Sequence, residues 1–429
     1  MIDRSIQPVI CEPQLAEVAL PEKRVMNNGI PLYIITGGDH EVVRIDIVIK
    51  GGRWHQTQSL QALFTNRMLR EGTRRYSSTE IAEKLDYYGA WLDLSSSSEY
   101  AYITLYSLNK YLPQTLDILE SIVKEPVFPE KELHVVIENN VQQYHINSSK
   151  VDFLAHRALM QAIYGSKHPC GNLVKEEDYR NIHPSVLQDF YDLHYSSNHC
   201  SIYLSGKVTT ECISRIEASF GNTPFGKCVP LLSTKTYLPE TISDKRIFIE
   251  RTDAMQSAIR MGMETMDILH PNYLKFRVVV TLLGGYFGSR LMSNVREKKG
   301  YTYGISSGIQ TYPGSGLFLI TSEAANEYVE PLIKEVYTEI TRLQNDLVSS
   351  EELSTVKNYM MGEMCRGYES VFSLADAWIL NHTSDLPDTF AKDSASAIET
   401  ITPDEIRTLS QQYLCKDTLK EAISGKKIL

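Results

Sequence analysis

The sequence predicts an α+β protein that consists of two homologous domains. Its 429 residues are too many for one ordinary hydrophobic core, and two domains of about 200 residues each are the natural expectation. The predicted elements also follow one order in both halves: two strands, two helices, two strands and a helix. Between the halves, residues 220–245 are rich in Gly, Pro, Thr and Lys and lack periodicity, which is typical of a linker. We therefore predict domains at residues 1–225 and 226–429.

The first half alternates between strand-like and helix-like spacing of its apolar residues. Ser77 or Ser78 is the expected N-cap of the second helix, and Gly89 is its expected end. Apolar runs or alternation that stop at turn residues predict strands at residues 32–35, 42–49, 92–94, 101–106 and 201–206. Apolar residues that recur every three or four positions predict helices at residues 59–71, 78–89, 112–123, 130–145 and 151–164.

The second half repeats this succession after the predicted linker. Gly284 and Gly285 are expected to break the first helix of this half, because glycine destabilises a helix interior. The same periodicities predict strands at residues 247–249, 258–263, 303–310 and 316–322. They predict helices at residues 273–283, 290–298 and 329–345.

Charge and hydropathy exclude two classes of partner. A net charge of −10 and a pI near 5.6 argue against nucleic acid, because phosphate binding requires a basic surface. No apolar run reaches the roughly 18 residues that a membrane-spanning helix needs, so no membrane partner is expected.

The N-terminus and the cysteines predict a cytoplasmic location. The first seven residues lack the basic start and apolar core of a signal peptide. Seven cysteines are an odd number and form no Cys-x-x-Cys motif, which is typical of reduced thiols in a cytosol.

A series of short motifs begins near the end of the first predicted helix: Met68-Leu69, Gly72-Thr73 and then Ser78-Thr79-Glu80-Ile81. In order and spacing it resembles the pitrilysin/insulinase family of zinc metallopeptidases, in which His-x-x-Glu-His precedes this series. Further motifs that resemble the family in the same order are Gly51-Gly52-Arg53, Pro126-Val127-Phe128, His168-Pro169-x-Gly171, Leu282-Leu283-Gly284-Gly285, Ser289-Arg290-Leu291 and the stretch from Val295 to Tyr303. The resemblance covers most of the chain. It implies two mostly antiparallel sheets packed with helices, which together form half of a clamshell around a peptide chamber.

The positions at which the family binds zinc hold other residue types here. Leu63, Asn66 and Arg67 stand where the resemblance implies His, Glu and His, and Asn139 stands at the implied third ligand, a Glu. Zinc needs imidazole, thiolate or carboxylate ligands, and its water needs a base. Leu cannot ligate, Asn is no base, and the cation of Arg repels a dication. We therefore expect no metal, no cofactor and no catalytic residue in this chain alone.

Arg296 and Tyr303 match a second family motif, an Arg and a Tyr seven positions apart. The resemblance implies that this pair binds substrate and faces the zinc site from the opposite half of the clamshell. A guanidinium holds a carbonyl or carboxylate through a fork of donors, and a phenol donates to a developing oxyanion. In dimers of short chains, the opposite half belongs to the other subunit.

The resemblance therefore predicts a non-catalytic subunit that forms the chamber and supplies Arg296 and Tyr303 to a zinc-bearing partner. The substrate would be a peptide or an unfolded polypeptide. One alternative is a homodimer, in which the partner is a second copy of this chain. The homodimer would bind peptide or act as a scaffold without proteolysis. Another is an active enzyme with relocated ligands drawn from His55, His134, Glu138 and His145, although His55 is expected to be a solvated loop residue.

Overall fold

The computed structural model describes residue 11, residues 13–230 and residues 237–428, and its framework is two mostly antiparallel sheets packed with helices. This arrangement confirms the predicted fold class. Two sequence predictions concern residues outside these ranges. The expected absence of a leader concerns residues 1–7, which lie wholly outside them, and the predicted linker lies partly outside them, at residues 231–236. The domain boundary at residues 225 and 226 stays a prediction.

The first sheet has the strand order β1-β2-β6-β3-β5-β4, with one parallel pair, β2 with β6. Its strands are β1 (Glu22–Val25), β2 (Pro31–Thr36), β3 (Val42–Ile49), β4 (Trp91–Ser96), β5 (Ala101–Leu108) and β6 (Cys200–Gly206). The helices of this half are α1 (Gln61–Met68), α2 (Ser78–Tyr87), α3 (Leu112–Lys124), α4 (Glu130–Ser148), α5 (Val151–Tyr164), α6 (Glu176–Arg180), α7 (Pro184–His194) and α8 (Thr210–Ile216). Ser77 caps α2 in a reciprocal capping box with Glu80.

The second sheet has the order β7-β11-β8-β10-β9, with one parallel pair, β7 with β11. Its strands are β7 (Arg246–Glu250), β8 (Gln256–Thr265), β9 (Thr302–Tyr312), β10 (Ser315–Ala325) and β11 (Lys420–Gly425). The helices are α9 (Tyr273–Val280), α10 (Val329–Asn345), α11 (Ser350–Gly367), α12 (Val371–Thr383), α13 (Phe390–Thr400) and α14 (Pro403–Tyr413). Two π-helical segments, Thr281–Gly285 and Met292–Lys298, follow α9.

Several elements differ from the sequence prediction. The predicted helix at 59–71 is shorter, because α1 tightens into a 3-10 turn at Leu69–Glu71. The predicted helix at 290–298 is π-helical instead. Strand β11 was not predicted because Lys420 and Glu421, two buried charged residues, conceal its apolar character. The buried Lys420 ammonium donates to the carbonyls of residues 242, 243 and 244.

Each sheet is covered by a helix from the opposite half of the sequence. Helix α5 packs on β8 and β11, where Leu159 joins Leu317 and Ala422 in one buried cluster. The Tyr164 hydroxyl at the end of α5 donates to the Gly316 carbonyl at 3.0 Å. Conversely, α12 packs on β2 and β6, and Trp378 is buried against Ile35. Neither half therefore buries its own sheet without the other.

A buried ion-pair network fixes α12 to the first sheet. The Arg44 guanidinium of β3 donates to the Asp46 carboxylate at 3.0 Å and to the Phe372 carbonyl at 3.2 Å, and it pairs with Asp376 of α12. Thr104 of β5 donates a further hydrogen bond to Asp46 at 2.7 Å. Arg44 and Asp46 are both buried, so the charge of each is compensated mainly by the other.

No helix within the described ranges is long and apolar enough to cross a bilayer.

We predict that Arg44→Met lowers the free energy of unfolding by about 3–5 kcal/mol, because it leaves the buried Asp46 without its cation. Urea denaturation followed by tryptophan fluorescence measures this change. Arg215→Met is the matched control, since Arg215 forms an exposed pair with Glu211 on α8. We expect the control to change stability by no more than about 0.5 kcal/mol. Equal effects of the two substitutions would contradict the assigned role of Arg44.

Candidate functional site

Helix α1 carries the positions at which the sequence analysis expected a lost zinc site. Leu60, which precedes the helix, has a left-handed backbone with φ of 70°. Phe64 and Met68 point into the core of the first half, which fixes the rotation of the helix about its axis. That rotation leaves Leu63 half-buried and Arg67 exposed, while Asn66 is buried.

Asn66 holds α1 to the sheet through a complete set of hydrogen bonds. Its amide nitrogen donates to the Ser95 carbonyl at 2.6 Å and to the Tyr102 carbonyl at 3.3 Å. Its amide oxygen accepts from the Tyr195 hydroxyl at 3.2 Å. The side chain at the position of the family's catalytic base is therefore engaged in structural hydrogen bonds, and an amide has no useful basicity.

Arg67 contacts the helix that was predicted to carry the third ligand position. Its guanidinium donates to the Asn140 amide oxygen at 2.7 Å, and Asn140 in turn donates to the Val136 carbonyl. Asn139, the predicted position, is exposed one residue away on α4. The structure thus brings Arg67 together with Asn140, while the assignment of Asn139 stays a prediction. An alkyl group, a guanidinium and amides do not fit a zinc ion.

Leu63 borders a cavity of about 570 Å³ next to this helix. The other side of the cavity is formed by polar residues of the β4–β5 turn at 96–98 and by Lys167. This face of α1 is therefore open to a cavity with both apolar and polar lining residues, and the α1 side chain on it, Leu63, offers no metal ligand.

His55 lies beside His194, with ring centroids 5.3 Å apart, and is half-buried rather than solvated as expected. Burial lowers the pKa of both imidazoles to about 4, so both rings are neutral at pH 7. Both ring nitrogens of His194 are buried with no hydrogen-bond partner among the described residues.

The other relocated-ligand candidates, His134, Glu138 and His145, are exposed along α4. His145 lies 3.2 Å from the Glu176 carboxylate. Over the part of the chain that the structure describes, no group of three or more His, Cys, Asp or Glu side chains is arranged to hold a metal ion. The relocated-ligand hypothesis therefore gains no support from the side-chain arrangement.

Arg296 and Tyr303 do come together in the structure. The guanidinium carbon of Arg296 lies 5.0 Å from the centroid of the Tyr303 ring. Tyr303 is 89% exposed, which is far from the usual environment of a tyrosine that packs in a core. Within the described residues, the Arg296 guanidinium makes no hydrogen bond and no ion pair, so its donors are free for a ligand. The role of both residues in substrate binding stays a prediction.

The local fold explains the seven-residue spacing. The π-helical segment ends when Gly300 adopts a left-handed backbone with φ of 67°, and its amide donates to the Arg296 carbonyl at 3.1 Å. Strand β9 then begins at Thr302. Asn294 anchors the segment to α10 through hydrogen bonds to Glu335 and Glu339 at 2.9 and 2.7 Å. Arg296 in the last turn and Tyr303 at the start of the strand are thereby held side by side.

A groove of about 810 Å³ lies beside Tyr303 and crosses three neighbouring strands of the second sheet. It is lined by the chain from Gly300 to Ser306 and by residues of β8 and β10, including Arg260 and Glu323. Strand β9 is an edge strand, because it pairs only with β10 among the described strands. The free side of an edge strand offers backbone donors and acceptors to an extended polypeptide.

The sequence analysis missed Phe287, which also contacts Arg296. It treated residues 284–288 as a helix break, but the Phe287 ring centroid lies 4.8 Å from the guanidinium carbon. The sequence did contain a signal for Phe287. An aromatic residue between glycines at the end of an apolar helix indicates a loop that exposes the aromatic side chain.

Two family models match consecutive parts of the chain. Residues 34–175 match the model described as insulinase, peptidase family M16. Residues 181–360 match the model described as the peptidase M16 inactive domain. The two matches thus cover parts of both halves of the chain. Helix α1 lies in the first match, and Arg296 and Tyr303 lie in the second.

Three curated relatives are similar in sequence. A Bacillus subtilis protein named uncharacterized zinc protease YmxG is 26% identical over 353 residues, which are 81% of this chain and 84% of that protein. A Helicobacter pylori protein named non-peptidase homolog YmxG is 23% identical over 69% of this chain and 68% of its own. The mitochondrial-processing peptidase subunit alpha-1 of Dictyostelium discoideum is 29% identical over 48% of this chain and 32% of its own.

A solved structure shows the same fold. The peptidase M16 inactive domain from Pseudomonas fluorescens superposes with a TM-score of 0.84 at 21% identity, over 95% of this chain and 98% of its own. The family that the motifs resemble is thus confirmed. Because the two family models together span most of its length, this chain belongs to the insulinase family of peptidases, peptidase family M16.

Proposed function

We propose that this chain is a non-catalytic subunit of a zinc metallopeptidase, which forms part of the peptide chamber and supplies Arg296 and Tyr303 to a zinc-bearing partner. The observation that carries the proposal is the contrast between its two halves. The positions expected to bind zinc hold Leu63, Asn66 and Arg67, which are engaged in packing and hydrogen bonds. In the second half, Tyr303 is exposed, the half-buried Arg296 lies beside it, and the Arg296 guanidinium has no hydrogen-bond or ion-pair partner among the described residues.

The side-chain chemistry of the pair suits a peptide substrate. The Arg296 fork is able to hold a backbone carbonyl or a carboxylate, and the Tyr303 phenol is able to donate to an oxyanion. The free side of the edge strand β9 offers backbone donors and acceptors to an extended chain, which supports the proposal. The zinc chemistry belongs to the partner, because the residues of α1 do not fit the metal.

The named relatives support a non-catalytic family member that acts with another chain. One is named a non-peptidase homolog, and another is named a subunit of a processing peptidase. A third is named a zinc protease, which makes the metal content of this chain the first property to measure. The proposal includes a cytoplasmic location, supported by seven cysteines that are all free thiols.

We predict that the purified chain contains close to zero zinc per molecule after gentle desalting, because no ligand set remains on α1. Elemental analysis measures the ratio. The zinc-bearing partner, purified in the same way, is the positive control and should hold close to one. A ratio near one in this chain would contradict a non-catalytic role, and His55 and the histidines of α4 would then be the first to substitute.

We predict that this chain forms a one-to-one heterodimer when it is mixed with a family member of similar length that retains His-x-x-Glu-His. Size-exclusion chromatography with light scattering measures the mass of the complex. A chain that remains a homodimer in the presence of that partner would instead support the alternative of a peptide-binding or scaffold homodimer.

We predict that Arg296→Ala lowers kcat/KM of the reconstituted complex about 100- to 1000-fold on an unfolded polypeptide, since one preorganised donor contributes about 2.7–4 kcal/mol. Tyr303→Phe keeps the ring beside Arg296 but removes the hydroxyl, and it should lower kcat more than it raises KM.

Arg407→Ala is the matched control, because Arg407 forms a surface pair with Asp404 on α14. The control should leave activity unchanged, and zinc content of the partner should be the same in every complex. Full activity of the Arg296→Ala complex would contradict the shared site.

A further inference from the structure

Phe287 is an exposed aromatic residue that packs on a cation. Its side chain is 60% exposed, and its ring lies over the Arg296 guanidinium at 4.8 Å. Its ring makes no contact with another aromatic ring among the described residues. Exposure of a large apolar side chain is unfavourable, and the cation–π contact with Arg296 stabilises the ring at this place.

The loop that carries Phe287 is fixed at both sides. Gly284 lies so close to β9 that a Cβ atom there would approach the Ser307 amide nitrogen to 2.7 Å. Tyr286 stacks on Tyr359 of α11 with ring centroids 4.9 Å apart, and its carbonyl accepts from the Ser289 amide at 3.1 Å. The chain before Phe287 is thus tied to β9 and to α11, and after it Arg290 pairs with Glu352 of α11 at 2.7 Å, so the loop that carries the ring is held in place.

Arg296 consequently lies over two rings, Phe287 from the loop and Tyr303 from β9, at 4.8 and 5.0 Å. A guanidinium stacks on an aromatic ring through the flat face of the guanidinium. Its N–H groups point outward in the plane of the guanidinium and stay available for hydrogen bonds to a ligand. An arginine side chain carries about 2 kcal/mol of rotamer entropy, part of which such contacts remove before a ligand binds.

We propose that Phe287 is a positioning residue, which holds the Arg296 guanidinium beside Tyr303 so that its fork is ready for a carbonyl or carboxylate of a bound polypeptide. This inference rests on the proposed function for the identity of the ligand. The clamp itself, defined as Phe287, Arg296 and Tyr303, is a property of this chain and is testable without any partner.

The first test uses the isolated chain and phenylglyoxal, a reagent for arginine. Peptide mass spectrometry gives the modification rate at Arg296 relative to Arg366, whose side chain is 70% exposed and serves as the internal reference. We expect Phe287→Leu to raise this relative rate about two- to five-fold, because a cation–π contact at an exposed site contributes about 0.5–1 kcal/mol. Phe287→Trp should keep the rate at or below the wild-type value.

The Leu and Trp variants separate aromatic attraction from packing, since leucine keeps the apolar volume and tryptophan keeps the aromatic face. Far-UV circular dichroism should be unchanged in both. An Arg296 rate in Phe287→Leu equal to that of the wild type would overturn the clamp, as would an equal increase in Phe287→Trp.

The second test uses the reconstituted complex and a double-mutant cycle. Phe287→Leu should lower kcat/KM about two- to five-fold, Phe287→Trp should restore it, and Phe287→Leu should have no further effect in an Arg296→Ala background. A full additional loss in that background would show that Phe287 does not act through Arg296. If Arg296→Ala itself is fully active while the modification rates behave as expected, the proposed function fails but the clamp stands.

Discussion

The rest of the structure depends on the exchange of covering helices between the two halves. Each sheet has an apolar face that a helix from the other half of the sequence covers. Helix α5 covers the second sheet, and helix α12 covers the first. Apolar burial provides most of the stabilisation, while the Arg44 network fixes the orientation of α12. The relative position of the two sheets is therefore set by packing rather than by the linker.

This exchange gives the two candidate regions a common rigid frame. Helix α1 rests on the first sheet through Asn66, and the segment with Arg296 rests on α10 through Asn294. Neither region is a flexible loop. At the α1 positions where the resemblance implies zinc chemistry, Asn66 and Arg67 form hydrogen bonds and Leu63 packs against the core.

The second region shows how a modest set of contacts produces a binding surface. A left-handed glycine ends a helical segment, an edge strand begins two residues later, and an arginine and a tyrosine meet at that corner. Phe287 reaches the same guanidinium from a loop that is separated from β9 by a helical segment. Free guanidinium donors between exposed rings and beside an unpaired strand edge are suited to polypeptide recognition.

The sequence by itself determined the fold class, most of the strands and helices with strong periodicity, such as α3 and α10, and the presence of Leu, Asn and Arg at the positions of α1 where the resemblance implies zinc chemistry. These properties depend on residue type and on local spacing, which a sequence displays directly. The resemblance implied that Arg296 and Tyr303 act as a pair, and in the structure one left-handed glycine, Gly300, lies between them and they are adjacent. Only the tertiary structure decided which helix covers which sheet, that Arg67 meets Asn140, that His55 is half-buried beside His194, that Lys420 is buried in a strand, and that Phe287 packs on Arg296. Most of these contacts join residues far apart in the chain, and no local pattern determines which distant atoms satisfy a buried charge or cover an exposed ring.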